Sequence, residues 1–163
     1  MRVFLYLLMT EDTVVIYTDG AARGNPGPGG YGVVLLYKGH RKELSAGYKN
    51  TTNNRMELLA VIVGLEALKR KDLKVKIYSD SKYVVDAINK KWVWEWESKG
   101  FKKKKNPDLW KRYLKLHPKF ELTFCWVKGH ANIPENERCD QLAVEASNHS
   151  DLLVDYGYMQ AIE

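Results

Sequence analysis

The sequence has few cysteines, few histidines and no long hydrophobic run. Its two cysteines, Cys125 and Cys139, form no CxxC pair, and its four histidines have no zinc-like spacing, which excludes a disulfide scaffold and a zinc finger. The apolar stretch at residues 3–9 is too short to span a bilayer. These absences favour a protein of the reducing cytoplasm that does not enter a membrane.

The first residues stand apart from the rest of the chain. The apolar stretch is followed by TEDT and not by a small-residue cleavage site, which argues against a signal peptide. Met9 would be a natural start for the domain that follows. We therefore interpret residues 1–12 as an N-terminal extension or a misassigned start, and residues 13–163 as a single domain.

The composition is that of a soluble globular protein with an excess of basic residues. Apolar residues make up 45% and charged residues 28% of the 163 residues, which is enough for a hydrophobic core without disulfides. The formal net charge of +6 points to a polyanionic partner if that charge is concentrated. No protein partner is implied, and we expect a monomer.

Short apolar segments bounded by turn residues predict one mixed sheet. Three strands with short connections open the chain, the first of them broken by glycine and proline at 20–30, and they predict an antiparallel meander. Later strands alternate with helices, which predicts parallel crossovers. The predicted strands are 13–18, 31–37, 41–48, 74–79 and 121–127, and the predicted helices are 52–70, 81–90, 108–116 and 134–147. The fold class is therefore α/β, with a five-stranded mixed sheet that joins the meander of strands 1–3 to parallel strands 4–5, and helices on both faces.

A carboxylate on the apolar side of the first predicted helix is unusual. Glu57 shares a face with Ala60 and Val61, whereas Glu66, nine residues later, faces the other way. A buried carboxylate is costly unless it is paired or binds a cation. The alternative interpretation is a boundary acid that pairs with Arg55.

Three aspartates are predicted to reach the same edge of the sheet as Glu57. Asp19 ends the first strand, Asp80 ends the fourth, and Asp140 lies near the start of the last helix. Four carboxylates together would repel one another unless cations lay between them. Mg²⁺ prefers such oxygen ligands, and two ions about 3.5–4 Å apart can activate a water and stabilise the leaving oxygen of a phosphodiester. These residues therefore indicate a metal-dependent phosphodiesterase.

One histidine lies close to these acids in the sequence. His130 is in a glycine-containing loop after a strand, ten residues before Asp140. Most single histidines in loops are ordinary surface residues. Its position beside the predicted edge nevertheless makes His130 a candidate proton carrier.

The positive charge is concentrated in residues 90–105. This segment, KKWVWEWESKGFKKKK, contains seven lysines, two glutamates and three of the five tryptophans, so its net charge is +5 of the +6 in the chain. Lysines neutralise phosphates and aromatic rings pack against sugars or bases, which predicts a nucleic-acid groove with little sequence specificity. The alternatives are a solvated charge run and tryptophans that belong to the core.

Four motifs, in this order and spacing, resemble those of bacterial type I ribonuclease H. They read YTDGAARGNPGPGGYG, TTNNRMEL, YSDSKYV and WVKGHANIPENERCDQLA, and the likeness runs from residue 13 to the C terminus. The resemblance implies a ribonuclease H-like fold and an endonuclease that hydrolyses the RNA strand of RNA–DNA hybrids, leaving 5′-phosphate and 3′-hydroxyl ends. It also implies two Mg²⁺ ions in the site with substrate bound, with Mn²⁺ as a substitute.

The resemblance assigns roles to the acids and to the loop histidine. Asp19 would bridge both ions, and Asp140 would join it on the ion that carries the attacking water. Glu57 and Asp80 would hold the second ion. His130 matches the family's loop histidine, which assists proton transfer or product release.

Substrate contacts are implied in the same way. They are Gly20, Asn25, Asn53 and Asn54 on the RNA sugar edge and minor groove, and Thr52, Trp92, Trp96, Phe101, Lys102, Lys103 and Lys104 on the DNA strand, most of these in a basic protrusion at 90–107. The 2′-hydroxyl would distinguish the RNA strand from the DNA strand. Two features depart from the family: Lys82, which would add a phosphate contact, stands where many relatives carry glutamine, and the protrusion is short.

Other proteins of related chemistry are the alternatives. A hybrid-binding module without catalysis is disfavoured by the intact set of four acids. A junction resolvase or transposase core would have the same fold but different motifs around its acids. The start and finish of the chain favour a free-standing protein over a domain cut from a reverse transcriptase.

Overall fold

The computed structural model describes residues 12–129 and 131–162. Their five strands form one mixed sheet in the order β3-β2-β1-β4-β5. β1 pairs antiparallel with β2 and parallel with β4, while β2–β3 is antiparallel and β4–β5 parallel. The strands are β1 Thr13–Ala22, β2 Gly27–Tyr37, β3 His40–Thr51, β4 Lys74–Ser79 and β5 Glu121–Trp126. The predicted fold class, a meander joined to two parallel strands, is confirmed.

Helices connect the later strands. They are α1 Asn53–Glu66, α2 Lys82–Asn89, α3 Trp92–Ser98, α4 Pro107–Leu116, α5 Pro134–Ser147 and α6 Tyr156–Ala161, with a 3₁₀ turn at His117–Lys119. None of the helices in the described ranges is both long enough and apolar enough to cross a membrane. α5 has the predicted bounds, and α6 was not predicted.

Helices cover both faces of the sheet. α1 packs on one face, where Gly64 lies beside Ile16 of β1 and Val33 of β2. α5 packs on the other face, where the carbonyl oxygen of Cys139 lies against Gly32. Neighbouring residues of one strand point to opposite faces, which is why Gly32 and Val33 meet different helices. The main core lies on the α1 face and a smaller cluster lies on the α5 face.

The predicted break at residues 20–30 is wrong. β1 continues to Ala22, the turn is confined to 23–26, and Asp19 lies inside the β1–β2 ladder rather than at its end. Two glycines of this stretch, Gly20 and Gly30, allow helices to pack closely on the strands. A Cβ at Gly30 would lie 2.5 Å from a carbonyl oxygen of α5, so only glycine lets the helix backbone come this close.

Replacing Gly32 with alanine is expected to destabilise the protein far more than replacing Gly64. A Cβ at Gly32 would overlap the backbone of Cys139, which cannot move without shifting α5. We expect the free energy of unfolding to fall by about 2–3 kcal/mol, as in an overpacked core. At Gly64 the new methyl would meet the side-chain ends of Ile16 and Val33 at 3.2 and 3.3 Å, which can adjust, and alanine favours the helix by about 1 kcal/mol. Urea unfolding of both variants tests this, and equal losses would contradict the packing argument.

α1 was predicted to end at residue 70, but it ends at Glu66. The chain beyond the helix must reach β4, and the Asp72 N–H donates to the Lys119 carbonyl oxygen at 2.8 Å on the way. Residues 69–71 belong to this connection. Their positive charges therefore lie outside the last turn of the helix.

The C-terminal segment covers part of the outer edge of β3. The Leu153 N–H donates to the Gly47 carbonyl oxygen at 2.9 Å, and the Lys49 N–H donates to the Leu153 carbonyl oxygen at 2.8 Å. α6 follows, and the Asp155 carboxylate caps it by accepting from the Tyr158 N–H at 3.2 Å. This pairing protects an edge strand that would otherwise expose free backbone groups.

Candidate active site

Three carboxylates from three separate elements meet at one edge of the sheet. Asp19 comes from β1, Glu57 from the N-terminal half of α1, and Asp80 directly follows β4. Each offers an oxygen atom, and these oxygens all lie within 4.8 Å of one another. Asp19 and Glu57 are both 8% exposed, so the cluster has little solvent to screen it.

The sheet register and one glycine bring these carboxylates together. Tyr17 of β1 is the register partner of Tyr78 of parallel β4, so Asp19 and Asp80, each two residues further on, lie level at the same edge. Glu57 is brought close because α1 crosses β1 at Gly20. A Cβ at Gly20 would lie 2.5 Å from the Glu57 nitrogen, so a larger residue would push the helix away.

The electrostatics of the cluster require a cation or a proton. Burial, followed by the negative charge of Asp80, raises the pKa of Asp19 to about 7. Burial and then the charges of Asp19 and Asp80 raise the pKa of Glu57 well above its ordinary value. Glu57 Oε1 is buried and has no hydrogen-bond partner among the described residues. An unpartnered carboxylate oxygen among other hard oxygen donors fits a divalent cation such as Mg²⁺.

Asp140 lies at the same cavity but outside the close cluster. The cavity measures about 390 Å³, and the Asp140 charge adds to the upward shift in the pKa of Asp19. Its lining residues are Asp19, Gly20, Ala21, Asn53, Asn54, Glu57, Asp80, Ser81, Lys82, Tyr83 and Asp140. The fourth predicted acid is therefore near the other three, while His130 lies outside the described residues.

Side-chain hydrogen bonds hold the asparagines and the threonine beside the cavity. Asn25 Oδ1 accepts from the Asn53 N–H at 3.0 Å, and Asn53 Oδ1 accepts from the Ala22 N–H at 2.6 Å. The Thr52 hydroxyl oxygen caps α1 by accepting a hydrogen bond from the Arg55 N–H at 3.2 Å. The turn at 23–26 and the start of α1 therefore form one unit, in which Asn53 lines the cavity.

The aromatic residues of the basic segment are divided between surface and core. Trp92 is 40% exposed, whereas Trp96 is partly buried against the main core and Phe101, at 6% exposure, lies within it. Lysines lie over two of the indoles, Lys90 over Trp92 and Lys104 over Trp96, at 5.2 and 5.1 Å from the ring centroids. Lys102, Lys103 and Lys104 are exposed. Phe101 is therefore less accessible than Trp92, and its predicted contact with a ligand stays a prediction.

Arg55 does not pair with Glu57, which removes the alternative explanation for that acid. The Arg55 guanidinium, 3% exposed, donates to both oxygens of Asp155 at 2.8 and 2.9 Å and to both oxygens of Asp108 at 2.9 and 2.7 Å. It also donates to Asn106 Oδ1 at 3.2 Å. This network was missed from the sequence, because its members are 51 to 100 residues apart.

Trp126 is a second residue beside the cavity that the sequence did not single out. Its indole Nε1–H donates to the main-chain oxygen of Asp80 at 3.0 Å, and its side chain is 45% exposed. The Lys82 Nζ atom lies 4.9 Å from the centroid of the indole ring. The signal was present in the WVKGH motif, whose first residue, Trp126, is the last residue of β5.

Without divalent cations, the stability of the protein is expected to fall as the pH rises from about 5.5 to about 8. The raised pKa of Asp19, about 7 against an ordinary 3.8, means that the folded state holds its proton more tightly than the unfolded chain. The stabilisation is therefore complete below about pH 4 and is lost as the pH passes 7. Burial lowers the pKa of His117, which works in the opposite direction.

Thermal unfolding in EDTA and in Mg²⁺ checks this expectation and separates the two residues. Mg²⁺ should remove the contribution of the acidic cluster and leave that of His117 in place. A melting temperature in EDTA that rises steadily from about pH 5.5 to about pH 8 would contradict the assignment.

A family model matches the chain from residue 11 to residue 148, and its description is RNase H. A curated relative, ribonuclease H of Desulforamulus reducens, is 61% identical over 147 residues, which are 87% of this chain and 92% of that protein. The range matched by the family model includes all four predicted acidic positions.

Solved structures give the same result at the level of the fold. LC9-RNase H1, a type 1 RNase H with the type 2 active-site motif, has a TM-score of 0.74 and 32% identity, and the match covers 92% of this chain and 80% of that one. LC11-RNase H1 in complex with an RNA/DNA hybrid has a TM-score of 0.62 and 33% identity, covering 83% of this chain and 96% of that one.

Proposed function

This chain belongs to the ribonuclease H family, and from that premise we propose how its residues act: it is an endonuclease that hydrolyses the RNA strand of RNA–DNA hybrids. Water attacks the phosphorus atom, the bond from phosphorus to the 3′ oxygen breaks, and the products carry a 5′-phosphate and a 3′-hydroxyl. The observation that carries this assignment to particular residues is the cluster of Asp19, Glu57 and Asp80 with its unpartnered buried oxygen.

Two Mg²⁺ ions, for which Mn²⁺ can substitute, are the proposed cofactors. Asp19, Glu57, Asp80 and Asp140 would hold them, since the first three form the close cluster and the fourth lies at the same cavity. When bound, such ions lower the pKa of the attacking water and stabilise the charge that develops on the leaving oxygen. The protein supplies a rigid, poorly solvated site for them, and His130 is proposed to carry a proton at its edge.

The two strands of the hybrid are proposed to lie on different parts of the surface. The RNA strand lies against the cavity rim at Gly20, Asn25, Asn53 and Asn54, where backbone and amide groups can contact 2′-hydroxyls. The DNA strand follows Thr52 and the exposed part of the basic segment. That part comprises Trp92, the accessible side of Trp96, and Lys102, Lys103 and Lys104. Lysines contact phosphates without reading bases, so cleavage has little sequence specificity.

The remaining expectations are proposals of the same kind. We propose that the enzyme acts as a monomer in the cytoplasm, where its two free cysteines would stay reduced. We also propose that residues 13–163 form the catalytic domain. Residues 1–11 lie outside the described residues, so their interpretation as an extension stays a prediction.

Cleavage of end-labelled duplexes tests the proposed function. Wild-type protein and Asp80→Asn are incubated with an RNA–DNA hybrid, double-stranded RNA, double-stranded DNA and a four-way DNA junction, each with Mg²⁺ and with EDTA. We expect only the hybrid to be cut, only with Mg²⁺, and only by wild type. Cleavage of the junction would favour a resolvase, binding of the hybrid without cleavage would favour a binding module, and equal activity of the two proteins would remove Asp80 from the site.

A further inference from the structure

A lysine on the wall of the acidic cavity pairs with a tryptophan next to it. Lys82 lines the cavity together with Asp19, Glu57, Asp80 and Asp140, and its Nζ atom lies 4.9 Å from the centre of the Trp126 indole. The charged side chains that line this cavity are thus four carboxylates and one cation. The simplest expectation is an ion pair between that cation and one of the carboxylates.

The described residues contain no such ion pair. No carboxylate in residues 12–129 or 131–162 lies within 4.0 Å of the Lys82 ammonium, although Asp80 is only two residues away. The ammonium lies over the indole face instead, where the ring quadrupole attracts it. The pair is therefore an alternative to a Lys82–carboxylate contact.

Trp126 is held in place by Asp80, whose side chain is one of the clustered carboxylates. Its Nε1–H donates to the main-chain oxygen of Asp80 at 3.0 Å, and its backbone ends β5, where Ser79 of β4 is its register partner. The indole thus cannot turn away without breaking a hydrogen bond. Its face stays directed at Lys82 while its edge stays attached to Asp80.

We propose that Trp126 is a positioning residue that holds the Lys82 ammonium away from the carboxylates, so that Lys82 does not compete with divalent cations and remains available for a substrate phosphate. A lysine ammonium that reached the cluster would offer the positive charge that the cluster otherwise takes from a metal ion. The indole prevents this because its face attracts the Lys82 ammonium and so competes with the carboxylates for it. The part that concerns substrate rests on the proposed function, whereas the part that concerns cations does not.

The dependence of thermal stability on Mg²⁺, measured without nucleic acid, tests the proposal directly. We expect Trp126→Ala to raise the Mg²⁺ concentration at the midpoint of the increase in melting temperature by about two- to fivefold, the range that an exposed cation–π contact supports. Trp126→Phe keeps an aromatic face and should shift the midpoint less. Because Trp126 is 45% exposed, both variants are expected to fold.

The double variant identifies Lys82 as the competitor. Lys82→Gln/Trp126→Ala should have the same midpoint as Lys82→Gln alone, because no ammonium remains to be held. Lys91→Gln is the matched control for loss of charge, since Lys91 lies over Trp94 at 5.0 Å and away from the cavity, and it should leave the midpoint at the wild-type value. An unchanged midpoint in Trp126→Ala, or the same increase in the Lys82→Gln background, would overturn the proposal.

A kinetic measurement then addresses the substrate phosphate. At saturating Mg²⁺, we expect Lys82→Gln and Trp126→Ala to raise KM for the hybrid and to leave kcat within about twofold, as expected for loss of one phosphate contact. Trp126→Phe should recover most of the wild-type KM. If no hybrid is cleaved by any protein, the proposed function fails and the Mg²⁺ midpoints still decide the role of Trp126.

Discussion

Replacing Asp19 with asparagine is expected to abolish cleavage of the hybrid and to stabilise the metal-free protein. Asparagine has nearly the same shape and retains the oxygen that accepts from the Gly20 N–H at 2.9 Å, but it removes one charge from the cluster. We expect kcat to fall by about 10³-fold or more, comparable with the loss of a charge-stabilising group in other active sites. Binding of the hybrid should persist, because the lysines and asparagines are unchanged.

The gain in stability follows from the same charge. At about pH 8 an ionised Asp19 is held beside Asp80 and Glu57 in a poorly solvated site, as the rise of its pKa to about 7 indicates. We expect a gain of about 1–2 kcal/mol in EDTA, or roughly 2–8 °C in melting temperature for a chain of this length. This gain in stability is smaller than the whole pKa shift of Asp19 would give, because a proton in the cluster can bind to Glu57 instead of Asp19.

Glu66→Gln is the matched control for Asp19→Asn. Glu66 lies on the same helix as Glu57, but it is exposed and pairs with Arg112 at 2.5 Å on the surface. We expect wild-type kcat and a change in stability within about 1 kcal/mol. An Asp19→Asn protein that cleaves within tenfold of wild type, or that melts lower than wild type in EDTA, would contradict the assignment of this cluster.

Replacing Asp155 with alanine is expected to cost more stability than any other single change at a charged residue discussed above. Asp155 is 8% exposed and accepts from the Arg55 Nε and Nη2 atoms, from Thr51 Oγ1 at 2.7 Å and from the Tyr158 N–H. Its removal leaves the buried Arg55 guanidinium with Asp108 as its remaining carboxylate. We expect the free energy of unfolding to fall by about 3–5 kcal/mol, the usual cost of removing one partner of a buried ion pair.

Two further variants separate burial from ion pairing as the cause. Asp108 binds the same guanidinium but its side chain is 43% exposed, so Asp108→Ala should cost less than Asp155→Ala. Glu66→Ala breaks a surface pair and should cost less than about 1 kcal/mol. Urea unfolding measures all three, and equal losses for Asp155→Ala and Glu66→Ala would refute the importance of the buried network.

The sheet and the convergence of three acids could be predicted because each depends on local patterns. Alternating apolar segments and short turns indicated a meander joined to parallel strands, and Asp80 lies beside Asp19 because β4 is the parallel neighbour of β1. Glu57 could be identified as anomalous because its helix is otherwise apolar around it. The roles of these residues, of Asp140 and of His130 in the reaction stay predictions.

The features that could not be predicted depend on contacts between distant segments. The glycines at 20–30 have the composition of a loop, and only contacts with distant segments, such as that of Gly20 with α1 and that of Gly30 with α5, show why two of them are needed. Arg55 was considered as a partner for Glu57 because it is close in sequence. Its actual partner, Asp155, is 100 residues away, and no local pattern could indicate it.

The distance between Arg55 and Asp155 also affects how the chain folds during synthesis. The first three strands and α1 leave the ribosome early, but the guanidinium buried at the start of α1 lacks its main carboxylate until residue 155 has been made. At about 5–20 residues per second, the missing 100 residues correspond to roughly 5–20 s. Asp108 becomes available about halfway through that interval, so until residue 155 is made the guanidinium has at most one of its two carboxylate partners. The helix that carries Glu57 therefore gains its full set of ion pairs only after residue 155 has been made.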